Sequence, residues 1–366
     1  MVYLIRDVIS HFESVAPAAY QESYDNSGLI VGNAGAEVKG ILCCLDVTEE
    51  VILEAKEKGC NLVVAHHPIV FKGLKSLTGK SYVERTVILA IKNDIAIYAI
   101  HTNLDHVGTG VNRKISEKIG LINPRILAPK SGLLMKLTTF VPLKDTDTVL
   151  NSLYQSGAGS IGNYAHCSFK VAGEGTFLPL EGAEPYLGNA GTEERVKENR
   201  VEVVFPAYLK NQVIEALQTS HPYEEVAYYL HILENENQEI GAGMVGELPE
   251  EMEEMAFLRH LKKSMDLQVI KHTRLTGKRI SRVALCGGAG FFLLKDAKKA
   301  GAGVFITSDI KYHEFFDAEN QLIIADIGHY ESEIYTKELL KDILLQKFSN
   351  IALYLTNVVT NPISYL

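Results

Sequence analysis

Gly40-Ile-Leu-Cys-Cys-Leu-Asp46, Thr48 to Lys58 and Asn61-Leu-Val-Val-Ala65-His66-His67-Pro68 decide the fold. The first is a short apolar run that reads as a buried strand. The second has helical character and stops at Gly59. The third is another strand, and it delivers two histidines before Pro68 ends it. Strand, helix and strand in this succession form a βαβ unit, which implies a mainly parallel sheet. Continuing outward, Val83 to Asn93 reads as the next helix. Ile95-Ala-Ile-Tyr-Ala-Ile100 is a third strand, delivering His101 to Asp105.

The C-terminal region repeats this plan. Arg282-Val-Ala-Leu-Cys286 reads as a strand, followed by Gly287-Gly288-Ala289-Gly290 and a helix through Lys299. Val304-Phe-Ile-Thr307 then delivers Ser308-Asp309, and Leu322-Ile-Ile-Ala-Asp326 delivers Gly328-His329. Glu54-Ala-Lys-Glu-Lys-Gly59 aligns with Asp296-Ala-Lys-Lys-Ala-Gly301, and His101-x-x-x-Asp105 stands where His329-x-x-x-Glu333 stands. The expectation is two related α/β halves, 1–129 and 236–366, packed around a cleft at their strand C-terminal ends. Between them, 130–235 changes texture. Met135 to Val141 alternates like an antiparallel strand, Asp145 to Gly157 reads as a helix, and a glycine-rich stretch follows to Gly191. Arg200 to Phe205, Leu209 to Thr219 and Val226 to Leu230 then complete a ferredoxin-like strand-helix-strand-strand-helix-strand order. This segment is expected to be an inserted α+β domain.

Composition narrows the function. The 366 residues are 46% hydrophobic and 22% charged, enough for sizeable cores. The net charge of -9, with no block of consecutive lysines and arginines, argues against nucleic acid, DNA included. Five cysteines, odd in number and without CxxC spacing, read as reduced buried thiols. Charge at Arg6 and Asp7 comes too early for a signal peptide, and no apolar run could span a bilayer. A cytoplasmic protein with no membrane contact is expected.

Chemistry concentrates at the strand ends. Adjacent strand residues point to opposite faces, so His66 and His67 suit two ions better than one; a pair of histidines stacking in a polar loop is the plainer alternative. Asp105 follows a strand too, although it could simply cap a helix. His329 and Glu333 are spaced i, i+4 on a helix expected to run through Leu340, so both can serve one metal neighbourhood. Three neutral imidazoles and two carboxylates bring −2 against +4 from two divalent ions, which favours an anionic ligand. Without thiolates, the mixed nitrogen and oxygen set suits zinc foremost, with iron, manganese or cobalt as alternatives, and argues against a closed structural zinc site. Lys72, Lys75 and Lys311 lie close by in sequence and could meet phosphates.

Tyr24-Asp-Asn-Ser-Gly-Leu29, His66-His67-Pro68, His101-Thr-Asn-Leu-Asp105, Thr307-Ser-Asp-Ile-Lys-Tyr-His313 and Gly328-His329-x-x-x-Glu333 together resemble the type-2 GTP cyclohydrolase I homologue family. The resemblance implies a di-metal site ligated by His66, His67, Asp105, His329 and Glu333. It also implies a toroidal homohexamer with metal sites facing an internal cavity. Gly159 to Phe169, Gly175-Thr-Phe177 and His221-Pro-Tyr-Glu-Glu225 make the insert similar to the PII-like domain of the longer members.

The activity implied is a di-metal-dependent hydrolase acting on an anionic small molecule or nucleotide. Its reference reaction is GTP cyclohydrolase-like ring opening of a purine nucleotide by metal-bound hydroxide. His101, His106 and His313 could then move protons, or could equally serve as hydrogen-bond donors behind the ligands. The alternative is a metal-binding regulatory or scaffold protein whose PII-like insert senses a ligand.

Overall fold

The computed structural model describes residues 2–366. They form two compact units, 2–129 with 238–366, and Lys130–Asn237.

The first unit contains two sheets. In one, strands Ile41–Cys44, Leu62–Ala65 and Ala96–Ala99 run parallel side by side. Every residue of the three is buried. That is the signature of a parallel sheet covered on both faces, and it explains the unbroken apolar runs in the sequence. Helix Glu49–Glu57 starts where the Thr48 side chain accepts from the Val51 amide, and it buries Val51, Ile52 and Ala55. Gly28–Val31 pairs antiparallel at one edge. At the other edge lies Leu353–Leu355, from the far end of the chain.

The second sheet follows the same logic. Arg279–Leu285, Val304–Thr307 and Ile323–Asp326 are parallel neighbours, extended antiparallel by Lys271–His272 on one side and Asn237–Glu253 on the other. Its outer strand is Ile122–Lys130, contributed by the N-terminal part of the chain. Each sheet therefore borrows an edge strand from the opposite end of the sequence. The region 1–129 supplies four of the five strands of the first sheet, and 236–366 supplies five of the six strands of the second.

The helix expected from His329 through Leu340 is divided into His329–Glu333 and Thr336–Leu345, with Ile334 and Tyr335 between them. The His329-to-Glu333 spacing survives within the first piece. Asp105 does not cap a helix near Gly108; it lies within the short helix Thr102–His106, whose N-cap is His101.

The unit Lys130–Asn237 holds four antiparallel strands in the order Ser168–Phe177, Glu194–Pro206, Leu134–Pro142, Tyr228–Leu233. With helices Thr146–Gln155 and Lys210–Ser220 this is the ferredoxin-like arrangement. Leu137, Val141, Val201, Val203 and Phe205 pack under the helices, against Val149, Leu153, Val213 and Leu217. Among the described residues no helix is long and apolar enough to cross a membrane.

Candidate metal centre

In the first unit five of the parallel strands lead into polar residues. Asp46 follows Cys44, His66 and His67 follow Ala65, and His101 follows Ala99. In the other sheet Ser308 and Asp309 follow Thr307, and Gly328 and His329 follow Asp326. Two short helices then carry Asp105 and Glu333 back toward these ends, each one turn beyond a histidine.

Three overlapping sets of side chains result: His66, His67 and His101; His67, His329 and Glu333; His66, Asp105 and Glu333. Within each set the ligand atoms lie within 4.8 Å of one another.

His66 is fully buried, and its Nδ1 lies 2.9 Å from the Ile100 carbonyl oxygen. A carbonyl only accepts, so Nδ1 carries the proton and Nε2 presents a lone pair. Burial, reinforced by neighbouring His67, pushes the ring down to about 3, so it is neutral. Nε2 faces Asp105 Oδ1 at 3.5 Å, and neither buried atom has a hydrogen-bond partner. Leaving each one unsatisfied costs ~1–3 kcal/mol. A cation bonded to both would remove that cost.

His67 donates from Nδ1 to Asp46 Oδ1 at 2.8 Å, while its Nε2 stands 3.0 Å from Glu333 Oε2. His329 repeats the pattern, with Nδ1 2.6 Å from Asp309 Oδ2 and Nε2 3.1 Å from Glu333 Oε2. Burial opposes charge on both rings, but the carboxylates prevail. Asp46 and Glu333 carry His67 up to about 10, and Glu333 and Asp309 carry His329 up to about 9. Burial would raise Glu333, yet the hydrogen bonds from His329 and His67 hold it well below the usual carboxylate range. Asp105 goes the other way, pushed up by burial and by the charge of Glu333. With protein groups alone, protons on two imidazoles stand around one carboxylate oxygen where divalent cations would fit.

Gly288 makes room for that carboxylate. Its φ is +61°, and a Cβ there would sit 2.5 Å from Glu333 Oε1. A cavity of about 470 Å³ opens onto the cluster, with Tyr24, Phe71 and Phe292 among its walls. Cys286 also lines it, but burial pushes that thiol up. The donor set is therefore nitrogen and oxygen, and these residues could hold metal ions.

A model of the Duf34/NIF3 (NGG1p interacting factor 3) family matches residues 3–362. This chain belongs to that family. The NIF3 chain is 38% identical over 364 residues to the "GTP cyclohydrolase 1 type 2 homolog" of Halalkalibacterium halodurans, covering 98% of each. The Bacillus subtilis protein of the same name is 37% identical over 367 residues, covering 99% of this chain and 98% of the relative. Among solved structures, a Bacillus cereus protein related to NIF3 superposes with a TM-score of 0.87 at 37% identity, covering 100% of both chains.

In this NIF3 chain the five residues expected as ligands come together, and His101 joins them within ligand reach of His66 and His67. His106 is buried, lines the same cavity, and holds Tyr20 carbonyl oxygen at 2.8 Å and Glu22 Oε1 at 3.2 Å. His313 is not brought to the cluster. It lies exposed on the segment Tyr312–Ala318 with its ring against Tyr312 and Phe316. Lys72 and Lys75 are exposed, and Lys311 pairs with Glu314 at 3.6 Å.

Sequence reasoning missed three carboxylates. Asp25, Asp46 and Asp309 lie behind His101, His67 and His329, each within 2.6–2.8 Å of Nδ1. They fix which ring nitrogen faces inward. They also change the charge count: with Asp105 and Glu333 they bring −5, not −2, against the +4 of two divalent ions. The five ligands alone still leave the surplus positive charge expected from the sequence, and these three carboxylates offset it from behind the imidazoles. All three stand at strand ends or in a quoted motif, a position that could have flagged them.

Proposed function

We propose that this NIF3 chain is a di-metal-dependent hydrolase whose ligands are His66, His67, Asp105, His329 and Glu333, with a phosphate-bearing nucleotide as its substrate class. The observation that carries this reading is the pair of orphaned, buried atoms His66 Nε2 and Asp105 Oδ1 facing each other beside the Glu333 carboxylate. Zinc is the first choice of ion, with iron and manganese next. Two such ions, when bound, supply polarisation of a substrate oxygen and a lowered pKa for water.

The chain's own groups do the rest. Asp25 accepts from His101 Nδ1, and despite its burial the hydrogen bonds from His101 and Thr102 hold it well below the usual carboxylate range. His101 thus keeps a lone pair on Nε2, suited to taking a proton. His106, with its Nδ1 proton on the Tyr20 carbonyl, is a second proton carrier beside Glu22. The rings of Tyr24, Phe71 and Phe292 offer an apolar wall for a purine. Purine ring opening is the finer reading of the reaction, and the names of the curated relatives support it. A homohexamer and a PII-like character of the insert belong to the same proposal. The ferredoxin-like order supports the latter.

The test is calorimetric titration of GTP into zinc-loaded protein, with Asp105→Ala beside it. Binding should require metal and weaken in the variant, and hydrolysis should rise with pH. Equal binding of GTP to metal-free protein would overturn the proposal.

A further inference from the structure

The unit Lys130–Asn237 has a cavity of its own, about 680 Å³, within the size range of small-molecule sites. Strand alternation decides its floor. Val201, Val203 and Phe205 point into the core beneath the helices, so Glu198 and Arg200 point to the opposite face. On the neighbouring strand Gly173 pairs with Glu198 and Val171 with Arg200, placing all four on the same face. A Cβ built on Gly173 would meet no atom within 4 Å, so the floor is hollow at that point. Phe140, Phe177, Tyr186, Tyr223 and Tyr229 supply ring walls.

One charge in this apolar setting lacks a counter-charge. Glu198 is only 7% exposed. The Tyr223 hydroxyl donates to its Oε1 at 2.7 Å, but a phenol leaves the carboxylate's charge in place. The other charged groups of the lining are occupied or at the rim. Arg200 is spent on Glu202 at 2.6 Å, and Glu174 pairs with Arg195 at 3.3 Å. Glu224 accepts the Glu184 amide at 3.0 Å. Lys144 lies over the Tyr186 ring at 4.7 Å. A buried carboxylate without a cation is costly. Aromatic faces beside it stabilise a cation further, most of all an organic ammonium.

We propose that this cavity binds a small organic cation, an ammonium group on an aromatic or other apolar body, with Glu198 as counter-ion and the surrounding rings as walls. The lining holds four carboxylates, Glu174, Glu198, Glu224 and Glu225, against one arginine, Arg200, which disfavours anions. The site lies wholly within the second unit and stands independently of the metal centre.

The experiment uses the full chain and five probes in calorimetric titration: phenethylamine and benzyltrimethylammonium as cations, 2-phenylethanol as the neutral analogue, phenylacetate as the anion, and GTP as control. At least one cation should bind saturably, and phenylacetate should not bind. Glu198→Gln, which keeps the acceptor for Tyr223, should weaken that binding at least about tenfold. Gly173→Val, whose Cβ enters open space, should abolish it, while metal content stays unchanged. If Glu198→Gln fails to fold, Gly173→Val alone decides. Failure of both cations to bind, equal binding of amine and alcohol, or wild-type affinity in either folded variant would overturn the proposal.

Discussion

His67 and Glu333 are 266 positions apart in sequence, and their side chains meet at 3.0 Å between Nε2 and Oε2. The same Glu333 oxygen lies 3.1 Å from His329 Nε2. One carboxylate thus joins histidines delivered by the two sheets of the first unit. Neither sheet's strand ends hold the complete constellation.

The carboxylates behind the histidines should matter to metal affinity without touching an ion. Asp46→Asn and Asp309→Asn each keep the shape but remove the charge that accepts from Nδ1. Each should weaken metal binding by ~10–100-fold. Competition with a fluorescent chelator measures this. Wild-type affinity in both variants would show that these aspartates do not support the ligands.

Gly288 is required for steric reasons. Its left-handed backbone disfavours any Cβ, and that Cβ would collide with Glu333 Oε1. Gly288→Ala should cost more than ~1 kcal/mol of stability and lower metal retention. Chemical denaturation and metal analysis of the same sample test it. An unchanged midpoint would contradict the clash.

The ring shifts give the metal-free protein a defined pH response. His67 rises in the fold from 6.5 to about 10. Its contribution is therefore full below pH 6.5 and lost as pH climbs through 10. His66 falls from 6.5 to about 3, so the unfolded ring binds a proton the folded one refuses. Its contribution is lost as pH drops from 6.5 toward 3. Melting temperatures of metal-free wild type and His67→Gln should differ most near pH 6 and converge by pH 10. A gap that does not change with pH would contradict the assignment of charge to His67.

The insert should be removable. Strands Ile122–Lys130 and Asn237–Glu253 are neighbours in one sheet, so the chain leaves and returns side by side. Replacing 131–236 with a short Gly/Ser linker should leave a folded, metal-binding protein. Circular dichroism and metal content measure this, and an insoluble or metal-free product would refute it.

The parallel strands were legible because strands buried on both faces must be apolar throughout and turn polar abruptly where they meet the site. Leu62–Ala65 followed by His66 and His67 shows both features. The exchanged edge strands were not legible. Ile122–Lys130 carries Pro124 and Pro129, which suit an edge but blur a strand pattern. Leu353–Leu355 is too short to show a period. Asp25, Asp46 and Asp309 stand at strand ends or in a quoted motif, but the histidine each one pairs with lies across the fold and does not show in the local sequence. His313 looked equivalent to the other histidines in sequence, but the turn it occupies keeps it among Tyr312 and Phe316.

By the proposed assignment His66, His67, Asp105, His329 and Glu333 hold two divalent ions. Elemental analysis of purified, metal-reconstituted protein tests it most directly, on wild type beside His67→Ala and Glu333→Ala. About two ions per chain are expected in the wild type, as for a two-ion site, with a clear loss in both variants. Full retention of metal in both variants, or no ion in the wild type, would contradict it.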